Sequence, residues 1–262
     1  MTVLVPWGMP LGSPDEQPQL NADAQWDDFN PALYVEKNYS RVLSVDEAIM
    51  SLVRTHFGDH FRELPGQSVH GIDVGAGANL YPALSMLPWC DRITLLDRSK
   101  SNLEYLRQQI AGHDDGWENF WRKLCLDDAY AAIPGGPWAR LSEVAQVAQG
   151  DILQPGDRRG RWRTGTMFFV AESFSTSTDE FHRAVKNFLE MLTPGAPFAA
   201  AFMEHSHGYW VGDTWFPACN VSQADISASI KRTTDSVRTY RIGEPGEVRP
   251  GYTSIILACG FR

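Results

Sequence analysis

From Val69 onward, short apolar runs alternate with stretches whose apolar residues recur at helical spacing. Val69 to Val74 and Arg92 to Leu96 are two such runs, the first ending in Gly-Ala-Gly and the second in Asp97. Asn79 to Leu87 has the pattern of a helix between them, which makes one β-α-β unit of the size a parallel pair requires. The spacing then predicts a helix over Ser99 to Ile110 and a mixed helical insertion over residues 113–140, where Trp117, Trp121 and Trp138 fall. Leu141 to Gln149 fits helix or strand equally. Met167 to Val170 and Pro197 to Met203 have the texture of buried strands, and between them lies an amphipathic helix, Asp179 to Met191, stopped by Pro194 and Gly195. A capping serine opens a further helix over Ser222 to Thr233. Val237 to Ile242 and Ser254 to Phe261 are β-rich segments joined by a Gly/Pro turn region.

Ahead of this alternation, Phe29 to Glu63 is patterned as helix, with Ala48, Ile49, Leu52 and Val53 forming a stripe after Ser44. These helices, within residues 27–66, are expected to cover the sheet as a lid. Residues 1–26 carry Pro6, Pro10, Pro14 and Pro18 with Gly8 and Gly12 between them, which precludes a helix; this segment reads as an arm, loose or draped over the domain. The expected architecture is α/β: an open, doubly wound, Rossmann-like sheet of seven mostly parallel strands with a C-terminal antiparallel hairpin and helices on both faces. Residues 27–262 are read as a single domain.

Composition narrows the partners. The 262 residues, 43% apolar, suffice for one sizeable core. With 23 basic against 32 acidic side chains the formal charge is -9, so nucleic acid would be repelled and a small-molecule partner fits better. No run approaches the roughly 18 apolar residues of a membrane span, and the first lysine, Lys37, is too late for a secretory signal, so a cytoplasmic monomer or weak dimer is expected. The four cysteines, Cys90, Cys125, Cys219 and Cys259, form no close pair and read as reduced thiols.

The chemistry starts at Asp73-Val74-Gly75-Ala76-Gly77-Ala78-Asn79-Leu80, a strand-to-helix turn whose glycines let a ligand approach the backbone. Asp97 follows Gly75 by 22 residues at the end of the next run, where a carboxylate can accept from both hydroxyls of a ribose, although a helix-capping role is open to it as well. A dinucleotide site would want glycine at position 80, for close helix packing beside the pyrophosphate, and this chain has Leu80. A cofactor with a ribose and no pyrophosphate, such as S-adenosylmethionine, meets the description.

Phe29-Asn30-Pro31-Ala32-Leu33-Tyr34-Val35-Glu36-Lys37-Asn38-Tyr39 resembles the N-terminal signature of the nicotinamide, phenylethanolamine and thioether methyltransferase family, commonly F-N-P-x-x-Y-L-x-x-Y-Y. The Gly75 loop with Tyr81, Asp97 with Asn102, Gly150-Asp151-Ile152, Leu192-Thr193-Pro194-Gly195 and Gly208-Tyr209-Trp210-Val211-Gly212 follow in the family's order. The resemblance, over roughly residues 26–262, implies a class I methyltransferase fold using S-adenosylmethionine and releasing S-adenosylhomocysteine. It implies cofactor contacts from Tyr34, Tyr39, Gly75, Gly77, Tyr81, Asp97, Asn102, Asp151, Ile152 and Ser173. In this reading Asp151 accepts from the adenine amino group and Ile152 packs on the ring.

The acceptor side is less determined. Glu204, which aligns loosely with the family's acidic substrate residue, opens the cluster Glu204-His205-Ser206-His207 after a strand. Glu204 and His207 are the candidate catalytic groups. Glu172, Phe174, Glu204, His205, Tyr209 and Trp215 are the candidate substrate wall, with aromatic rings suited to a flat or cationic molecule. No metal is expected, since an i, i+2 histidine pair lacks a third convergent ligand. The reading is methyl transfer to a small molecule, foremost to an amine or heterocycle nitrogen. Transfer to oxygen, sulfur or carbon, a nicotinamide-dependent oxidoreductase and a non-catalytic cofactor-binding protein are the alternatives.

Overall fold

The computed structural model describes residues 18–234, 236–245, 247 and 252–262. The proline-rich stretch up to Gln17 and most of the turn before the last strand lie outside the described residues. The elements in chain order are α1 (Pro31–Tyr39), α2 (Ser44–Arg62), β1 (His70–Val74), α3 (Tyr81–Leu84), β2 (Arg92–Asp97), α4 (Lys100–Ala111), α5 (Gly116–Leu124), α6 (Asp128–Ala131), α7 (Gly136–Val144) and β3 (Ala145–Gln149). They continue with β4 (Thr164–Phe168), α8 (Thr178–Met191), β5 (Pro197–Glu204), β6 (Gly208–Val211), β7 (Thr214–Pro217), α9 (Gln223–Lys231), β8 (Val237–Ile242) and β9 (Ser254–Phe261).

Seven strands form one sheet in the order β3-β2-β1-β4-β5-β9-β8, parallel from β3 to β5, with β9 antiparallel to both β5 and β8. The strand order reverses between β1 and β4, and at this switch point the carboxyl ends of β1, β2 and β4 open a crevice. Strands covered on both faces read as continuous apolar runs, and their side chains divide by period two. On β5, Ala199, Ala201 and Met203 join the core cluster that holds α2, α3 and α5, whereas Phe198, Ala200 and Phe202 join the cluster that holds α8 and α9. Among the described residues no helix is long and apolar enough to cross a membrane.

Three segments differ from the pattern-based expectation. The helix expected over Asn79 to Leu87 is a single turn, Tyr81–Leu84, with Pro82 in its first turn. The strand expected at Met167 begins at Thr164 and ends at Phe168. Its first residues look polar in sequence, but the Thr164 hydroxyl donates to the Pro197 carbonyl at 3.1 Å and the Thr166 hydroxyl to Asp73 Oδ1 at 2.7 Å, so both are buried without loss. At its other end Phe169 has φ +59°, and the chain leaves the sheet there. Leu141 to Gln149 proves to be both alternatives in turn, α7 ending at Val144 and β3 following. The β6–β7 hairpin was not anticipated, although Gly212-Asp213 between two aromatic runs is a two-residue turn signal, and Gly212 has φ +57°.

Candidate functional site

At the end of β1 the chain turns through Gly75 (φ +63°) and Gly77 (φ +54°). A Cβ on Gly75 would lie 2.6 Å from the Val170 side chain, so glycine is required there by contact as well as by conformation. The loop is tied to β2 by Ala76 N donating to Leu96 O at 3.0 Å, and then to the carboxylate that ends β2. Gly77 N donates to Asp97 Oδ2 at 2.8 Å; Ser99 N donates to Asp97 Oδ1 at 2.8 Å and Asn102 Nδ2 to the same oxygen at 3.3 Å. Ser99, whose hydroxyl accepts from Asn102 N, caps α4, so Asp97 is not the capping residue. Burial raises the Asp97 pKa above its usual value, against the hydrogen bonds from Ser99, Gly77 and Asn102.

Around this loop lies one cavity at the switch point. From the glycine loop and β2 it takes Gly75, Gly77, Asp97 and Asn102, and from the segment after β3 Asp151 and Ile152. Tyr34 and Tyr39 of α1, with ring centroids 5.9 Å apart, wall it from the lid side, and Ser173, Phe174 and Tyr209 wall it from the far side. Two buried polar atoms on residues of the wall, Asn79 Nδ2 and Asn102 Oδ1, have no protein partner, and a bound molecule with both donors and acceptors would satisfy them. Among the described residues lining the cavity, Asp97 and Asp151 are the only carboxylates and Arg98 the only cation.

The structure does not bring the remaining sequence-derived candidates to this wall. Tyr81 is fully buried behind the loop, stacked on Phe120 at 5.7 Å. Glu172 is buried in the turn after β4 and reaches β5: its Oε1 accepts from Met203 N at 2.9 Å and from the neighbouring Ser173 hydroxyl at 3.2 Å. Glu204 is held from elsewhere. It accepts from Gln223 N (3.0 Å), the Thr253 hydroxyl (2.9 Å) and the Ser254 hydroxyl (2.8 Å), and it pairs with Arg241 at 2.8 Å. Burial alone would raise its pKa, but these hydrogen bonds and the Arg241 charge together hold it below the usual glutamate value. Glu204 therefore binds β5 to β8, β9 and α9 rather than facing the cavity. His205 adopts φ +60° and pairs through Nδ1 with the Thr253 hydroxyl, His207 is exposed, and Trp215 packs on Trp210 at 5.2 Å.

Other residues of the wall escaped sequence reasoning. Asn21, Trp26 and Phe29 enter from the arm and the start of the lid, Arg98 from the residue after Asp97, and Phe168 and Phe169 from the end of β4. Of the arm read as ending at residue 26, Asn21 and Trp26 line the cavity. Only Phe29 carried a signal, being the first residue of the Phe-Asn-Pro signature.

With this geometry in view, the relatives are informative. The family model described as the NNMT/PNMT/TEMT family matches residues 17–247, nearly the whole chain. Among solved structures, magnesium protoporphyrin IX methyltransferase from Synechocystis PCC 6803, with bound SAM, is similar at TM-score 0.51 and 15% identity, with 84% of this chain and 85% of that one covered. A SAM-dependent methyltransferase from Methanosarcina mazei is similar at TM-score 0.52 and 12% identity, with 77% and 96% covered. Likenesses at such identities establish the Rossmann-like methyltransferase fold. Comparison with curated proteins returned no match. The chain belongs to the NNMT/PNMT/TEMT family and is an S-adenosylmethionine-dependent methyltransferase.

Proposed function

We propose that this methyltransferase acts on a small, flat molecule and transfers the methyl group to an uncharged aromatic ring nitrogen. The observation that carries this reading is the charge inventory of the cavity: its lining holds two carboxylates, Asp97 and Asp151, and this reading assigns both to the cofactor. Asp97 stands at the end of β2 beside Gly77 N, where it would hold the ribose hydroxyls, and Asp151 with Ile152 would hold the base. An aliphatic amine, with a pKa of about 10, would first have to lose its proton, and beyond Asp97 and Asp151 the described residues of the wall offer no carboxylate to take it. Glu204, the acid best placed in sequence for that task, is engaged by Arg241 and two hydroxyls outside the cavity. The wall is also rich in aromatic rings, among them Phe29, Tyr34, Phe168, Phe169, Phe174 and Tyr209. Rings of this kind receive a planar acceptor by stacking or edge contact.

S-adenosylmethionine, when bound, supplies a methyl group on a positively charged sulfur. The chain's own residues have the task of holding the acceptor's lone pair in line with the methyl carbon and the sulfur, which is where most of the acceleration of such a displacement arises. An uncharged ring nitrogen taking the methyl group would have no proton to lose, so no base would be required of the residues on the wall. Tyr209 is fixed for this role by its hydroxyl, which donates to the Ser173 carbonyl at 3.1 Å, and Tyr34 by packing on Phe29 at 5.1 Å. Phe29, Tyr34 and Tyr209 also meet Phe216 or one another within one cluster, so the β6–β7 hairpin and the lid close on the same space.

The test is incubation with methyl-labelled S-adenosylmethionine and a panel of pyridine- and imidazole-type heterocycles, aliphatic amines, phenols and thioethers, read by mass spectrometry for the gain of one methyl group. Transfer confined to the heterocycles is expected. Preferential methylation of aliphatic amines would overturn the assignment, and cofactor binding without transfer to any compound would point to a non-catalytic binding protein.

A further inference from the structure

The segment that crosses the mouth of the cavity, residues 19–29, is fastened to three separate cofactor loops. Gln19 pairs twice with Thr176 after β4, Thr176 N donating to Gln19 O at 2.9 Å and Gln19 N to the Thr176 hydroxyl at 2.9 Å. Lys100 N donates to Asp27 Oδ1 at 3.0 Å, and the Ser101 hydroxyl to Phe29 O at 2.7 Å, at the start of α4. Between these anchors Asn21, only 4% exposed, reaches the third loop: its Nδ2 donates to both carboxylate oxygens of Asp151, at 3.3 and 3.1 Å. Every other polar group of Asn21 that would have to be paired is paired. Its N–H donates to Glu180 at 2.8 Å, its carbonyl accepts from Arg98 at 2.8 Å, and its Oδ1 accepts from the Trp26 indole at 3.0 Å.

We infer that Asn21 is a positioning residue for base recognition: its amide orients the Asp151 carboxylate and so links the 19–29 strap to selection of a base that carries an exocyclic amino group. A carboxylate free to rotate offers its lone pairs in many directions. Asp151 is fixed by Leu153 N on Oδ1 at 2.8 Å, by Arg98 on Oδ2 at 3.4 Å and by Asn21 across both oxygens. Leu153 and Arg98 belong to the cofactor loops themselves. Asn21 is the contribution of the arm, and because the Trp26 indole on Oδ1 settles which end of the amide carries hydrogen, it can only donate to Asp151. Held in this way, the Asp151 carboxylate presents its remaining lone pairs as acceptors to an amino group, whereas a carbonyl in that place would meet a carboxylate. The inference rests on the reading of Asp151 as the base acceptor.

Calorimetry with S-adenosylhomocysteine and S-inosylhomocysteine, whose base bears a carbonyl in place of the amino group, tests it on the full chain. The natural protein is expected to prefer the adenine compound by about tenfold or more, one charge-assisted hydrogen bond in a partly buried site. Asn21→Ala is expected to weaken S-adenosylhomocysteine binding by about tenfold while leaving S-inosylhomocysteine nearly unchanged, so that the preference collapses. Asn21→Asp, equal in shape but unable to donate, is expected to lose the preference as well, which separates orientation from packing of the strap. An equal loss for both compounds would mean that Asn21 merely holds the arm and would overturn the inference, as would unchanged or tighter binding of S-adenosylhomocysteine. If the natural protein itself binds both compounds equally, the role of Asp151 fails instead.

Discussion

Two acids end parallel strands on the same edge of the sheet, Asp97 on β2 and Glu204 on β5, and their surroundings make them opposites. Both are buried, at 7% and 3% exposure, so burial alone does not distinguish them. Asp97 receives only N–H donors, from Gly77, Ser99 and Asn102, and no cation; its oxygens border the cavity, and a molecule with two adjacent hydroxyls has something to bind. Glu204 receives two hydroxyls, one N–H and the Arg241 guanidinium, and its charge is answered inside the protein. A carboxylate is available to a ligand in proportion to what the fold leaves unpaired. The pKa directions follow the same count, Asp97 raised by burial and Glu204 lowered in spite of it.

The largest effect that would break this contrast concerns the cofactor. Asp97→Ala is expected to weaken binding of S-adenosylhomocysteine by about tenfold to a hundredfold, the loss of charge-assisted hydrogen bonds worth about 1.5 to 3 kcal/mol, with the fold retained by circular dichroism. Unchanged affinity in calorimetry would remove Asp97 from the site. Glu204→Gln should do the reverse. Cofactor affinity is expected to stay within about twofold, while thermal stability falls as a buried group set among Arg241, Thr253 and Ser254 loses its charge and part of its hydrogen bonding. That costs about 1 to 3 kcal/mol, or several degrees of Tm for a chain of this size. A loss of acceptor binding without a loss of stability would return Glu204 to the substrate wall.

The contrast also explains what could be read in the sequence. Period-two and helical spacing located the sheet strands within a few residues, because strands buried on both faces leave continuous apolar runs, and the Gly75 loop with Asp97 needed only local spacing. Where β4 begins was hidden, since Thr164 and Thr166 look polar until their partners Pro197 and Asp73 are known. Glu204 and Asp97 are indistinguishable along the chain, both being acids that follow apolar runs. What separates them is Arg241, Thr253 and Ser254, some 37 to 50 residues away in sequence and brought near by the antiparallel pairing of β9 with β5 and β8. Asn21 was illegible for the same reason, lying 130 positions from Asp151 in a stretch with no periodicity. Non-local pairing carries this information, and periodicity does not.

A third acid completes the series and gives the most specific test. Asp73 on β1 has a single donor, the Thr166 hydroxyl at 2.7 Å, while its Oδ2 has no hydrogen-bond partner. Burial pushes its pKa from 3.8 up to about 8, opposed by the Thr166 bond and assisted by the nearby Asp97 charge. The folded protein therefore keeps this proton at neutral pH, whereas the unfolded chain releases it above about pH 4. Folding takes up a proton in that window, so the contribution of Asp73 to stability is full below the unfolded value and is lost as pH rises toward the folded one. Asp73→Asn has nearly the same shape and no titration. Its Tm relative to the natural protein is expected to rise between about pH 5 and pH 8 by roughly 7 to 10 degrees, since about three pH units of linkage are lost there, whatever the offset at the acid end. A Tm difference that stays flat across that range would mean Asp73 is ionised in the folded state, and the count of donors would no longer order the three acids.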